Sequence, residues 1–144
     1  MSLAPYISLE GRCNEAIAFY QQALNAELTF KITFGEMPKE AGNPEECSGA
    51  AEYSADSIMH ANLRIAGNEL MMSDGNMGGE KSRHSGYALC LATHDVDEGK
   101  RWFENLAVGG KVTMPWSETF WAKGYGSLTD KFGIPWMVNV ERER

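Results

Sequence analysis

The chain has 144 residues, the size of one ordinary domain with a hydrophobic core and too short for two independent domains. Its formal net charge of -7 opposes binding to polyanions, and its 13 Lys and Arg residues are scattered rather than gathered into a basic patch. We therefore expect a single domain, residues 1–144, that binds no nucleic acid.

Hydrophobic patterning and cysteine usage predict a cytoplasmic protein. No apolar run approaches the roughly 18 residues that a membrane helix needs, and the N-terminus lacks the basic region of a signal peptide. Cys13, Cys47 and Cys90 are widely spaced and form no C-x-x-C motif, so reduced thiols are expected. We expect no membrane partner.

The first half of the chain contains a predicted strand, a helix, a second strand and a hairpin. The helix places one small and two aromatic residues, Ala16, Phe19 and Tyr20, on one face with Ala23 and Leu24. That spacing is typical of a helix that lies on a sheet. The predicted segments in chain order are PYISLE, NEAIAFYQQAL, AELTFKITF and SIMHANLRIAGNELMMSD.

A long segment, residues 35–56, separates the second strand from the hairpin and is rich in Glu, Gly and Pro. Loops of this length in compact domains are usually lids, partner surfaces or disordered segments. We favour a solvated acidic loop over a lid, because the segment has little apolar content to bury.

The second half repeats the same order, and its helix carries an equivalent pattern 83 residues further along. Asp95 and Glu98 form a predicted capping box before this helix, whereas the equivalent positions hold Arg12 and Glu15, a weaker start. The predicted plan is βαβββ twice, with module 1 at about 3–75 and module 2 at about 86–141. The second helix face consists of Gly99, Trp102, Phe103, Leu106 and Ala107.

Two motifs resemble a known superfamily. The Glu-Ala-x-x-Phe-Tyr helix at 15–20 and the closing Thr-Asp-x-Phe-Gly-x-x-Trp hairpin at 129–136 are similar to those of vicinal oxygen chelate proteins, which include glyoxalase I and bleomycin resistance proteins. The resemblance covers the whole chain and is strongest to the PhnB-like branch. It implies an α+β fold in which two βαβββ modules form a curved, cup-like mixed sheet, with the Asp130–Trp136 turn joining the last two strands.

The resemblance also implies a place for a divalent metal, held by three or four His, Glu or Asp side chains. The corresponding positions hold Pro5, Glu69, Tyr87 and Met137, of which only Glu69 could bind a hard metal. We therefore expect no metal site and no cofactor. A divalent metal at a non-standard set, such as His60 with Glu69, is the alternative, and would make the protein a metal-dependent lyase, isomerase or dioxygenase.

Alternation along the predicted strands indicates which side chains face the cup. His60, Asn62 and Arg64 lie opposite the apolar residues of their strand, and the same parity turns Glu69 and Met71 inward. An aromatic-rich segment, residues 115–126, adds a rim in which Trp121 is either a pocket wall or packing, while packing is favoured for Trp116. The predicted substrate-binding residues are His60, Asn62, Glu69, Met71, Tyr87, Glu118 and Trp121.

No catalytic residue is identified. The chain lacks a G-x-S-x-G elbow and a P-loop. It also lacks the glycine-rich loop that a methyltransferase would need, so a methyltransferase activity ranks third, after a binding protein and a metal-dependent enzyme. The resemblance favours a homodimer, because paired modules complete the cup in this superfamily and two-fold assemblies are the commonest. The prediction is a protein that binds a small organic ligand.

Overall fold

A computed structural model describes residues 3–36, 55–75 and 84–142, so that most of the acidic segment 35–56 lies outside the described residues. The chain forms two compact units, residues 1–83 and 84–144, and each contains one βαβββ module. The predicted α+β fold of two βαβββ modules is confirmed. The elements are β1 (Tyr6–Ser8), α1 (Cys13–Leu24), β2 (Glu27–Thr33), β3 (Ile58–Ile65), β4 (Asn68–Ser73), β5 (Leu89–Thr93), α2 (Val96–Ala107), β6 (Lys111–Ser117), β7 (Ala122–Thr129) and β8 (Pro135–Glu141).

Each unit contains one four-stranded mixed sheet. The strand order is β1-β4-β3-β2 in the first sheet and β5-β8-β7-β6 in the second. In both, the strand before the helix pairs in parallel with the last strand of the module, and the other neighbours are antiparallel. A parallel pair needs a long crossover connection, which the helix of each module begins.

The core of the first unit lies between α1 and one face of its sheet. Residues of β3 and β4 alternate between buried and more accessible positions, as expected for a sheet covered on one face. The opposite face of this sheet is called the far face below. Buried residues on the helix side include Ala16, Ile17, Tyr20, Ala61, Leu63, Leu70 and Met72.

In the second unit, glycines let α2 and aromatic rings lie directly on the sheet. A Cβ atom at Gly126 would come within 2.6 Å of the Phe103 ring, and one at Gly124 would collide with the Trp116 ring. Phe103 and Trp116 also contact each other, with ring centroids 5.5 Å apart. Trp116 is therefore a packing residue on the helix side, which settles the alternative left open for it.

The two helices begin differently. Asp95 caps α2, because its side chain accepts hydrogen bonds from the backbone N–H groups of Asp97 and Glu98. The capping box is only half formed, since Glu98 accepts a 2.9 Å hydrogen bond from the Thr93 hydroxyl instead of reaching back. Arg12, which precedes α1, makes no side-chain cap, in line with the weaker start predicted there.

Neither helix in the described parts of the chain has the length and apolar character that crossing a membrane requires.

Candidate functional site

The far face of the first sheet carries a row of side chains that crosses all four strands. Tyr6 pairs with Met71, Met71 with Asn62, and Asn62 with Phe30 in the register of the sheet. Residues paired in this way project to the same face. We call these four residues the aromatic–amide row, because it combines two aromatic rings, a thioether and an amide.

His60 lies beside this row and contacts three of its four residues. Its ring lies 5.5 Å from the Tyr6 ring and 5.9 Å from the Phe30 ring, centroid to centroid. Its Nε2 lies 2.5 Å from Oδ1 of Asn62, and its Nδ1 lies 3.3 Å from the Tyr6 hydroxyl. His60 is therefore held in place by Tyr6, Phe30 and Asn62 together.

A second row lies two residues earlier in β4. Glu69 pairs with Arg64, and Arg64 with Glu27, across three strands. The Arg64 guanidinium lies 3.6 Å from a carboxylate oxygen of each glutamate. We call these three residues the charged row. The second Glu69 oxygen, Oε2, is buried and has no hydrogen-bond partner among the described residues.

Four of the predicted ligand-binding residues thus share one surface: His60, Asn62, Glu69 and Met71 all lie on the far face of the first sheet. Two residues of the same surface, Tyr6 and Phe30, were not predicted. Both are exposed, at 39% and 51% of their full accessible area. Exposed rings beside polar side chains are the kind of surface that small molecules contact.

The second unit has its own aromatic group, on the face opposite α2. Trp121 packs edge-on against Phe120 and Tyr125, with ring centroids 4.9 and 5.5 Å apart. Trp121 is 47% exposed and Phe120 is 90% exposed. Asn139 pairs with Tyr125 across the sheet, and its Oδ1 is buried with no hydrogen-bond partner among the residues described.

Tyr87 and Glu118 lie away from one another. Tyr87 precedes β5 at the end of the sheet where Leu89 pairs with Trp136, and its hydroxyl lies 2.7 Å from Nδ1 of His84. Burial, and then the charge of Asp130, raise the pKa of the Tyr87 phenol. Glu118 lies near the opposite end and forms a 2.8 Å ion pair with Arg142.

Cys90 lies on the same face of the second sheet as Met137, with which it pairs. Although the residue is exposed, partial desolvation of the thiol and then the nearby Glu141 carboxylate raise the pKa of Cys90. A raised thiol pKa lowers the fraction of reactive thiolate at neutral pH. The structure therefore does not favour Cys90 as a nucleophile.

Most of the chain matches one known protein family. The model of the Glyoxalase/Bleomycin resistance protein/Dioxygenase superfamily matches residues 6–138. The chain belongs to this superfamily. Protein YjdN of Escherichia coli (strain K12) is 52% identical over 145 residues, an alignment that covers 100% of this chain and 98% of YjdN.

Solved structures of similar proteins share the fold. Protein PA1353 from Pseudomonas aeruginosa has a TM-score of 0.82 and 35% sequence identity, with 99% of each chain covered. The PhnB protein from Bacillus cereus has a TM-score of 0.74 and 21% identity, covering 96% of this chain and 98% of that one. The predicted resemblance to the superfamily, with PhnB-like neighbours, is confirmed.

Members of the superfamily resemble metal-binding proteins, but the described side chains of each unit do not form a metal site. Within residues 3–36, 55–75 and 84–142, no three His, Cys, Asp or Glu residues lie close enough together to hold a metal ion. In the first unit, His60 contacts Asn62 while Glu69 contacts Arg64, four residues further along β3. The described residues therefore do not fit a metal site of three or four protein ligands. That the protein holds no metal stays a prediction.

Proposed function

We propose that the protein binds a small, partly apolar organic molecule on the far face of its first sheet. The aromatic–amide row carries this proposal, because it places two exposed rings and an amide in register across four strands. Ligand sites typically combine apolar walls with a few well-placed polar groups. His60, Asn62, Glu69 and Met71 are the proposed contacts in this unit.

The proposal extends to the second unit, which offers a surface of similar chemistry. Trp121 is the proposed apolar wall there, since it is half-exposed and held edge-on by Phe120 and Tyr125. Tyr87 and Glu118 are proposed as polar contacts nearer the two ends of the sheet. Because those two side chains lie at opposite ends of the sheet, we expect one small ligand to contact only one of them at a time.

We also propose that the protein works in the cytoplasm as a homodimer. Two-fold dimers are the commonest closed assemblies of soluble proteins. Light scattering at micromolar concentration should give about twice the mass of one chain. A single species with the mass of one chain would contradict the dimer.

Amide NMR with a panel of neutral aromatic fragments tests the binding surface. Binding should shift the amide resonances of Asn62 and Met71, and Asn62→Ala should weaken binding of the same fragment by about tenfold. Asn14→Ala is the matched control, because Asn14 is an exposed asparagine on α1, away from the far face. Fragments that shift only α1 resonances would contradict the proposal.

Metal analysis separates this proposal from metal-dependent catalysis. Protein purified without chelators or a histidine tag should contain much less than one equivalent of zinc, nickel or manganese. Glu69→Gln provides the comparison, because Glu69 occupies the one position where the superfamily pattern keeps a possible ligand. A near-stoichiometric metal that this substitution removes would favour a lyase, isomerase or dioxygenase instead.

A further inference from the structure

We infer that the molecule bound on the far face of the first sheet is an aromatic amine. Its ring would lie on the aromatic–amide row, and its protonated nitrogen would bind Glu69. This inference rests on the proposed function, and it adds the chemical class of the ligand. Three separate observations on the first unit support it.

The first observation is the unpaired oxygen of Glu69. Oε2 is buried without a hydrogen-bond partner in the described chain, while Oε1 lies 3.6 Å from Arg64, beyond ordinary hydrogen-bond length. A buried carboxylate oxygen without a donor is costly. Because the Glu69 side chain as a whole is 39% exposed, a rotation of its carboxylate would bring Oε2 to the surface, where a ligand's ammonium group, with up to three N–H donors and a positive charge, would satisfy it.

The second observation is the charge balance of the charged row. Glu27 and Glu69 share one guanidinium, that of Arg64, so the row carries one net negative charge. At a distance of a few ångströms this excess attracts a cation and repels a carboxylate or phosphate, although solvent weakens both effects at partly exposed groups.

The third observation is the direction of the hydrogen bonds at His60. Oδ1 of Asn62 can only accept, so the Nε2 that lies 2.5 Å from it must carry the proton. In the neutral ring, Nδ1 is then an acceptor and takes the hydrogen of the Tyr6 hydroxyl. The Tyr6 oxygen therefore keeps its remaining lone pair toward the open side of the row, which disfavours a ligand that presents a carboxylate there.

The spacing of the two rows suits a short aromatic amine. Tyr6 pairs with Met71, and Glu69 lies two residues from Met71 on the same face of β4, a separation of roughly 7 Å along the strand. Met71, between Tyr6 and Glu69, would form the apolar floor beneath the ligand's linker.

Three probes of similar size test the inference by amide NMR titration of the full chain. We expect 2-phenylethylamine to shift the resonances of Tyr6, Glu69 and Met71, and to bind roughly tenfold or more tightly than 3-phenylpropionate or 2-phenylethanol. Glu69→Gln should remove that preference for the amine. Glu27→Gln also removes the net negative charge of the row but leaves the Glu69 carboxylate in place, so it should reduce the preference less than Glu69→Gln does, because the Glu27 side chain is 67% exposed.

The outcomes separate the two proposals. If 3-phenylpropionate or 2-phenylethanol binds the far face as well as the amine does, the inference is wrong and the proposed function stands. If none of the three shifts far-face resonances at millimolar concentration, both are wrong. Long-range ¹⁵N NMR of His60 should show the proton on Nε2; a proton on Nδ1 would reverse the hydrogen bonds and overturn the role given to Tyr6.

Discussion

The Asp74 carboxylate accepts a 2.8 Å hydrogen bond from the backbone N–H of Cys13, the first residue of α1, although 61 positions separate them in the chain. The same carboxylate accepts hydrogen bonds from the N–H groups of Gly11 and Ile58, at 2.9 and 2.7 Å. Arg12 provides no side-chain cap, so Asp74 satisfies the start of α1 from the end of β4. One buried side chain at the end of β4 thus joins the turn between β1 and α1, the start of α1 and the start of β3.

Asp74→Ala should therefore lower the free energy of unfolding by at least about 3 kcal/mol, since three N–H groups lose their acceptor at a cost of about 1 kcal/mol or more each. Asp95→Ala is the control, because it removes an exposed local cap and should cost only about 1 kcal/mol. Urea unfolding followed by circular dichroism measures both. Equal losses would show that the long-range cap adds nothing beyond a local one.

The closing hairpin of the second unit is built around Asp130. One carboxylate oxygen accepts hydrogen bonds from the N–H groups of Phe132 and Ile134, and the other accepts a 2.8 Å bond from the Trp136 indole. Trp136→Phe should keep the ring packing but remove that donor, and destabilise the protein by about 1–2 kcal/mol. Thermal unfolding checks this. A loss no larger than that of Trp102→Phe, on α2, would contradict the role of the indole.

The repeated fold could be predicted because its pattern is local. The helical spacing of α1 and α2 and the alternation of β3 can both be recognised within a few neighbouring residues. The alternation of β3 therefore placed His60 and Asn62 opposite the buried apolar residues of that strand, as the structure has them. The cap of α1 could not be predicted in the same way. Its acceptor, Asp74, comes from the far end of the module and meets α1 only when the sheet has formed.

Tyr6 and Phe30, the far-face residues that were not predicted, lie in strands whose sequence shows no clear alternation of apolar and polar residues. β1 has only three residues, too few to show a pattern around Tyr6. In β2, the register shifts between Leu28 and Phe30, so strict alternation along the sequence does not give the face of Phe30. Without those two rings, His60 and Asn62 remained isolated polar residues instead of parts of one surface.

The buried thiol of Cys13 should make stability depend on alkaline pH. Burial, and then the nearby Asp74 carboxylate, raise the pKa of Cys13 far above its ordinary value of 9.0. Below pH 9 both the folded and the unfolded thiol are protonated. Above pH 9 only the unfolded thiol loses its proton, so the free energy of unfolding should fall by up to about 1.4 kcal/mol per pH unit.

Cys13→Ala isolates this effect, because alanine does not titrate. The variant should be somewhat less stable at pH 7 but should lose less stability than the original protein between pH 9 and pH 10.5. Urea unfolding at a series of pH values provides the comparison. Parallel pH profiles for the two proteins would mean that the Cys13 thiol ionises equally in the folded and unfolded states.

Substitution of Trp116 should mainly reduce stability, whereas substitution of Trp121 should mainly reduce ligand binding. Trp116→Ala removes a ring seated on Gly124 and against Phe103, and should lower the free energy of unfolding by about 2–4 kcal/mol. Trp121→Ala removes a half-exposed ring and should cost less than about 1 kcal/mol, while weakening binding of neutral aromatic fragments to the second unit by about 1–3 kcal/mol. Urea unfolding and fluorescence titration of the remaining tryptophans measure the two effects. If Trp121→Ala unfolds the protein as readily as Trp116→Ala does, Trp121 is a packing residue and its proposed place as a ligand wall is wrong.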